Sequence, residues 1–170
     1  MDHLWSPWRY NYVSSSDSVP ADQKSCLFCR VGGPSNDGKN HDRENLVVLR
    51  GRYSFVLLNR YPYSSGHLMI APYAHAATLA ETDTATLEEV MRLAQRAEKA
   101  LRAVYKPGGL NLGFNIGQCA GAGIAGHIHM HALPRWAGDT SFITTVGETR
   151  VMPEALETTY ERLLKAFTEI

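Results

Sequence analysis

The chain is poor in several things, and each shortage narrows what it can be. Only three cysteines occur in 170 residues, two of them as Cys26-Leu-Phe-Cys29. That is too few for a secreted disulfide framework. It points to a reducing compartment, the cytoplasm, with metal binding open to the close pair. No run of about 18 apolar residues is present, so no membrane span is expected. The opening Met1–Val13 segment carries Asp2, Arg9 and scattered aromatics, and does not read as a signal peptide. Surplus charge is missing too: 17 Lys and Arg balance 17 Asp and Glu. A neutral chain lacks the basic footprint that long nucleic acid requires, although a few local donors still hold a small anion. Repeats and low-complexity tracts are also absent.

What is present suits one domain with an arm, since 44% of residues are hydrophobic and 20% charged. Residues 1–25 read as an N-terminal aromatic arm anchored by Trp5, Trp8, Tyr10 and Tyr12, and residues 26–170 as the domain proper. Short β-branched or apolar runs predict strands at 46–49, 54–58, 67–71, 110–116 and 127–133, the last closing at Pro134. A helix is predicted from about Asp83 to Tyr105, with Thr82 or Asp83 as its cap. Its expected apolar stripe is Leu87, Val90, Met91, Ala94, Ala97, Leu101 and Val104. Pro153 opens a terminal helix with Leu156, Tyr160, Leu163, Leu164 and Phe167 inward. The sum is an α+β domain with a mostly antiparallel sheet of about five strands.

The string Gly126-His-Ile-His-Met-His-Ala-Leu-Pro134 is the decisive one. On a strand, alternate side chains share a face, so His127, His129 and His131 line up about 6.5–7 Å apart while Ile128 and Met130 serve the core. A solvated His-rich face and a metal site are the rival readings of the triad by itself. The preceding loop shifts the balance. Gly117, Gly121, Gly123 and Gly126 fall within ten residues, so backbone N–H groups there can approach a phosphate. A phosphate cradle joined to three imidazoles suits displacement at phosphorus, where positioning and charge neutralisation carry most of the catalysis. Cys119, in that loop, is expected to be a small buried residue rather than a nucleophile.

His127-Ile-His-Met-His-Ala-Leu resembles the motif of the histidine-triad (HIT) superfamily. Phe55-Val-Leu-Leu-Asn-Arg-Tyr-Pro62, followed by Gly66-His67, is similar to the ribose-contacting segment of its fragile-histidine-triad branch. Leu4-Trp-Ser-Pro-Trp-Arg9, Asn115-Ile-Gly-Gln118 and Arg135-Trp-Ala-Gly-Asp139 resemble the bacterial diadenosine tetraphosphate phosphorylases and their hydrolase relatives. The likeness runs over nearly the whole chain and implies a HIT-like fold for 26–170, C-terminal helix included.

The resemblance implies site roles. His129 would attack the α-phosphorus and carry the nucleotidyl group, His131 would steady its charge, and His127 would lie beside them. Asn59 would bond the ribose hydroxyls, and His67 would orient the site. Leu57 and Met69 would pack near the base, with Gln118, Gly121 and Gly123 touching the other phosphates. A structural Zn2+ would take Cys26, Cys29, His75 and His127, with His41 the substitute for His75. Mg2+ is a candidate to neutralise substrate charge. Many relatives carry Ser or Thr three or four residues before the first histidine, where this chain has Gly123 and Ile124.

The implied activity is nucleotidyl transfer on dinucleoside polyphosphates, by phosphorolysis with orthophosphate or by hydrolysis, in a homodimer paired through the long helix and fourth strand. The alternatives are a nucleoside phosphoramidate or adenylyl-conjugate hydrolase, a non-catalytic nucleotide sensor, and a metal-dependent enzyme using the triad itself.

Overall fold

The computed structural model describes residues 26–34, 38, 41–140, 144 and 153–170. The aromatic arm at 1–25 lies outside the described residues. The chain runs α1 (Leu27–Gly32), β1 (Val47–Arg50), β2 (Ser54–Leu58), β3 (Leu68–Pro72), α2 (Thr84–Tyr105), β4 (Gly109–Phe114), β5 (Met130–Arg135) and α3 (Leu156–Glu169). Short 3-10 turns occupy Leu79–Glu81 and Gln118–Ala120. The five strands form one sheet in the order β1-β2-β3-β5-β4, every pair antiparallel. Helix α2 carries the chain from β3 across one face to the outer strand β4. The later β5 then fills the gap between them.

Both faces of the sheet are covered. On one, Val48, Val56, Leu58, Leu68, Ile70, Met130 and Ala132 pack against α2 and α3. On the other, Val47, Phe55, Leu57, Met69 and Ala71 pack with Phe28 and Val31 of α1. All five residues of β2 and of β3 are therefore buried, which explains continuous apolar runs where a half-exposed sheet would alternate.

Asp83 caps α2, accepting from the Thr86 N–H at 2.9 Å, while the Thr82 hydroxyl turns back to the Thr78 carbonyl. The buried stripe of α2 is Thr86, Val90, Leu93, Ala94, Ala97, Ala100 and Leu101. Met91 is 54% exposed, contrary to the stripe read from periodicity. The alanines let the helix lie close to the sheet, and the contact line rotates by about one residue toward Leu93 and Ala100. Lys106 closes the helix in a left-handed conformation ahead of Pro107.

Strands β1 and β3 each sit one residue later than expected, and larger differences occur in three elements. Strand β4 spans Gly109–Phe114, ending before Ile116, and is one of the sheet's two edges. Helix α3 begins at Leu156, three residues after Pro153, and buries Thr159 and Ala166 beside Tyr160, Leu163 and Phe167. Strand β5 begins at Met130, because the Ile128 N–H bonds the Ala76 carbonyl at 2.7 Å instead of joining the ladder. It also runs through Pro134, since pairing to β3 ends at Ala132 and only β4 flanks the strand beyond.

Candidate active site and metal centre

The triad sits on the α1 face of the sheet. Leu57, Met69, His131 and Gly113 form one lateral row across β2, β3, β5 and β4. His127, at a bend, and His129 precede the ladder, and all three imidazoles are buried, with exposures of 0%, 4% and 8%. This is no solvated histidine face. Their surroundings also differ from one ring to the next.

His129 Nδ1 lies 2.8 Å from the carbonyl of His127. A carbonyl only accepts, so Nδ1 carries the proton and Nε2 keeps its lone pair. A second chain of bonds fixes His131. The Asn59 Oδ1 accepts from the Tyr61 N–H at 2.9 Å, which makes Nδ2 the end facing His67 Nδ1 at 3.3 Å. The Tyr63 N–H also donates to His67 Nδ1, at 3.1 Å. With Nδ1 accepting, His67 Nε2–H donates to His131 Nδ1 at 2.8 Å. The proton of His131 is thereby left on Nε2. His67 is fully buried, and it enters β3 through Gly66, whose φ of +78° few other residues tolerate. A Cβ on Gly66 would stand 2.6 Å from the Tyr105 ring.

Burial lowers the basicity of all three triad rings. Desolvation, helped by the neighbouring His129, holds His131 at about 4. Desolvation also brings His127 to about 4 and pushes His129 downward, against the His127 carbonyl bond. Neutral imidazoles with a defined lone pair are suited to nucleophilic attack or to metal ligation.

His127 turns to a different set of partners. Its Nε2–H donates to the Pro72 carbonyl at 3.0 Å, which leaves Nδ1 facing Cys26 Sγ at 3.3 Å and Cys29 Sγ at 3.5 Å. His75 Nδ1 meets Cys29 Sγ at 3.2 Å. The four ligand atoms of Cys26, Cys29, His75 and His127 all lie within 4.8 Å of one another. A tetrahedral ion with ordinary Zn–S and Zn–N bonds places sulfur and nitrogen about 3.6 Å apart, so the cluster can hold a metal of that kind. Burial, reinforced by Cys26, pushes the Cys29 thiol up to about 11. A cation between the sulfurs acts in the opposite sense. His41 instead bonds Glu44 at 2.8 Å on the surface and takes no part in the cluster. Of the triad, only His127 joins this cluster, so a metal centre built from all three histidines is not what the fold assembles among the described residues.

In the glycine-rich loop, Gly117 and Gly121 take φ of +83° and +91°. The N–H groups of Ala120, Gly121 and Ala122 bond the Gly117 and Gln118 carbonyls within the loop. Gln118 and Gly123 are exposed. Ile124 leans on the α1 cluster. Cys119 lies in the 3-10 turn Gln118–Ala120, none of whose residues is buried, and is exposed, contrary to the buried position expected of it. Leu57 and Met69 are buried at 3% and 7% among the α1-side core.

Two contributors escaped the sequence. Phe28, between the two cysteines, packs its ring 4.7 Å from His129 and 5.2 Å from His127. Tyr63 packs 4.7 Å from His67 and 6.0 Å from His131. The unforeseen helix α1 is what aims Phe28 inward, and no periodicity over six residues could announce it.

Residues 40–138 match the family model of the HIT domain. Over 169 residues the chain is 38% identical to a protein named AP-4-A phosphorylase from Mycobacterium tuberculosis, covering 96% of this chain and 83% of that one. Among solved structures, a Zn-bound histidine triad family protein from Mycobacterium smegmatis is similar, with a TM-score of 0.67, 25% identity and coverage of 87% and 96%. The fold is also shared with Plasmodium falciparum diadenosine triphosphate hydrolase, at a TM-score of 0.59, 16% identity and coverage of 75% and 77%.

The buried environment makes His131 a checkable group. Its ring protonates near 4 when folded and near 6.5 when unfolded. Between those values the unfolded chain binds a proton that the native chain does not, so His131 lowers stability as pH falls through that window. Its imidazole carbon-bound protons, followed by NMR, stay fixed from pH 8 to 5.5. A midpoint near 6.5 would contradict the arrangement.

Proposed function

The chain belongs to the HIT domain family, and from that premise we propose that it transfers a nucleotidyl group from a dinucleoside polyphosphate, diadenosine tetraphosphate above all, through a covalent bond to His129. The observation that carries this reading is the 2.8 Å bond from His129 Nδ1 to the His127 carbonyl. It presents a buried, unprotonated Nε2 as the nucleophile.

The chemistry follows from the tautomers. Nε2 of His129 attacks the α-phosphorus, the P–O bond to the leaving nucleoside polyphosphate breaks, and its electron pair departs on that oxygen. The ring becomes cationic as the P–N bond forms, and the His127 carbonyl, already accepting from Nδ1, stabilises that charge. His131 Nε2–H, held in place from behind by His67, donates to a phosphoryl oxygen. Asn59 takes the ribose hydroxyls, Leu57 and Met69 lie beside the base, and Gln118, Gly121 and Gly123 border the remaining phosphates. With the Ala120, Gly121 and Ala122 N–H groups engaged inside the loop, Gly121 borders the phosphates without donating to them, and backbone donors to phosphate begin at Gly123. In the second step orthophosphate attacks the same phosphorus, the P–N bond breaks with its electrons returning to Nε2, and ADP leaves. The name of the 38% identical relative supports orthophosphate as acceptor; water would give AMP.

The metal we assign to Cys26, Cys29, His75 and His127 is zinc. Four protein ligands leave it no open position, so its role is structural. Bound there, it supplies a fixed link between α1 and the segment that carries the His127 carbonyl. Thiolate ligands persist in a reducing compartment, which supports a cytoplasmic setting. We also infer a homodimer through α2 and β4. Strand β4 is an edge with Leu112 40% exposed, and Met91 of α2 is 54% exposed.

Three measurements test these statements. Incubation of diadenosine tetraphosphate with and without orthophosphate yields ADP plus ATP only when phosphate is present, and acid-sensitive label on His129 is lost in His129→Ala. AMP plus ATP in both arms makes the enzyme a hydrolase, and no cleavage overturns the reading. Metal analysis of the purified protein finds about one zinc per chain, lost in Cys29→Ser with a lower melting temperature; a metal-free wild type refutes the site. The mass in solution at micromolar concentration is twice that of the chain, and a monomeric mass ends the dimer.

A further inference from the structure

Helix α1 is the least self-sufficient element around the triad. Its six residues, Leu27–Gly32, are too few to hold helical form on their own. Yet the helix and its cap supply Cys26 and Cys29 to the metal cluster and Phe28 to the His129 ring. Its apolar anchors, Phe28 and Val31, are both buried, and it lies so close to β2 that a Cβ on Gly32 would stand 2.9 Å from the Phe55 ring. Apolar burial has no direction, so it presses the helix onto the sheet without setting its rotation or its slide. The cysteine sulfurs need both to be set, because each faces a histidine nitrogen at 3.2 to 3.5 Å.

A directional contact exists at the far end of the helix. The last carbonyls of a helix have no partner within it. Arg50, the final residue of β1, takes two of them: Nη2 donates to the Val31 carbonyl at 3.0 Å and Nη1 to the Gly32 carbonyl at 3.4 Å. The guanidinium is itself held. Nε and Nη2 both donate to Asp42 Oδ1, at 2.9 and 2.7 Å, and the Asp42 carbonyl accepts from the Val47 N–H at 2.8 Å. The same group lies 5.8 Å from the centroid of the Phe55 ring. One planar group thus joins the end of β1, the turn before that strand and the end of α1. An exposed ion pair by itself contributes little, and the side chains of this one are 36% and 23% exposed. Here the carboxylate aims the guanidinium, and what the guanidinium fixes is the helix. None of these bonds passes through a cysteine or a histidine.

We propose that Arg50 is a positioning residue for the metal centre and for His129: it holds α1 in place with or without the metal. Cys26 and Cys29 then meet His75 and His127 already arranged, and Phe28 stays on the His129 ring. The metal half of the proposal rests on the reading of the cysteine–histidine cluster as a zinc site; the helix half does not. Ligands that are already arranged bind more tightly than ligands that must first be ordered, by the population of the ordered state. The coupling is reciprocal, so α1 of an Arg50 variant regains its place when zinc is bound.

Two readouts on the full chain test this. Zinc affinity is measured by competition with a chromogenic chelator. The docking of α1 is followed in metal-stripped protein by hydrogen exchange at Arg30 and Gly33, whose N–H groups bond the Cys26 and Cys29 carbonyls. Arg50→Met keeps the aliphatic stem and removes every side-chain donor. It weakens zinc by about 10- to 100-fold, the usual cost of losing a group that supports metal ligands. It speeds exchange in the stripped protein by a similar factor, and saturating zinc restores slow exchange. Arg50→Lys keeps the charge without the planar fork; it falls between wild type and Arg50→Met, and carries the test if the methionine variant does not fold. Arg162→Met controls for a plain loss of stability. Arg162, on α3, pairs with Glu154 and donates to the Val104 carbonyl, and its loss leaves zinc affinity as it was. Unchanged zinc affinity in the Arg50 variants, equal weakening in Arg162→Met, or α1 exchange as fast in stripped wild type as in the Arg50 variants overturns the proposal. A wild type that takes up no zinc refutes the zinc assignment alone, and exchange in the stripped proteins then decides the role of Arg50.

Discussion

The hydrogen bond from His129 Nδ1 to the carbonyl of His127 joins the two chemical halves of this molecule. The residue whose main chain sets the tautomer of His129 is the same one whose side chain enters the Cys26–Cys29–His75 cluster. Its imidazole is anchored at both nitrogens, by the Pro72 carbonyl on one side and by the cysteine sulfurs on the other. A ring held at two points leaves its own backbone little freedom, so the carbonyl that accepts the hydrogen bond from His129 Nδ1–H stays where it is needed. A hydrogen bond that fixes one imidazole nitrogen orients the other toward its partner; here the same anchoring extends one residue pair further, to His129.

That arrangement only works where water is scarce. The α1 side of the sheet is closed by Phe28, Val31 and Cys26, and the opposite side by α2 and α3. Desolvation then keeps the triad rings uncharged, and in such surroundings an unmatched imidazole nitrogen would be costly. The fold meets this by giving each ring a specific partner: a carbonyl for His129, His67 for His131, and sulfur with a carbonyl for His127. Phe28 contributes from inside the Cys-x-x-Cys turn, touching both His127 and His129. The short helix is therefore part of the packing around His129 as well as the source of two of the four side chains that could hold a metal ion.

Much of this was legible in the residues. The strands at 54–58 and near 67–71 were readable because a sheet buried on both faces demands uninterrupted apolar runs. Helix α2 was readable from its period and its Asp83 cap. Periodicity misjudged which line of α2 faces inward, because Leu93 and Ala100 win through their fit against the sheet and Met91 loses despite its hydrophobicity. The start of β5 was misplaced for a similar reason. Ile128 bonds to Ala76, a partner 52 positions earlier in the chain that no local pattern reveals. Cys119 was misjudged because it falls in a short 3-10 turn with no buried residue, which the loop composition does not reveal.

By itself the sequence determined the chemical inventory and its local order: three imidazoles at alternate positions, a glycine-rich loop ahead of them, a close cysteine pair, and the strands and helices that carry them. These are properties of neighbouring residues, set by side-chain alternation and backbone freedom over a few positions. Only the tertiary structure decided which nitrogen of each histidine carries the proton and which histidine leaves the triad for the cysteines. It alone brought Phe28 and Tyr63 against the rings and Arg50 against the last carbonyls of α1. The physical reason is that a tautomer, a ligand set and the seat of a short helix each depend on partners distant in the chain, and burial makes the choice among those partners exclusive.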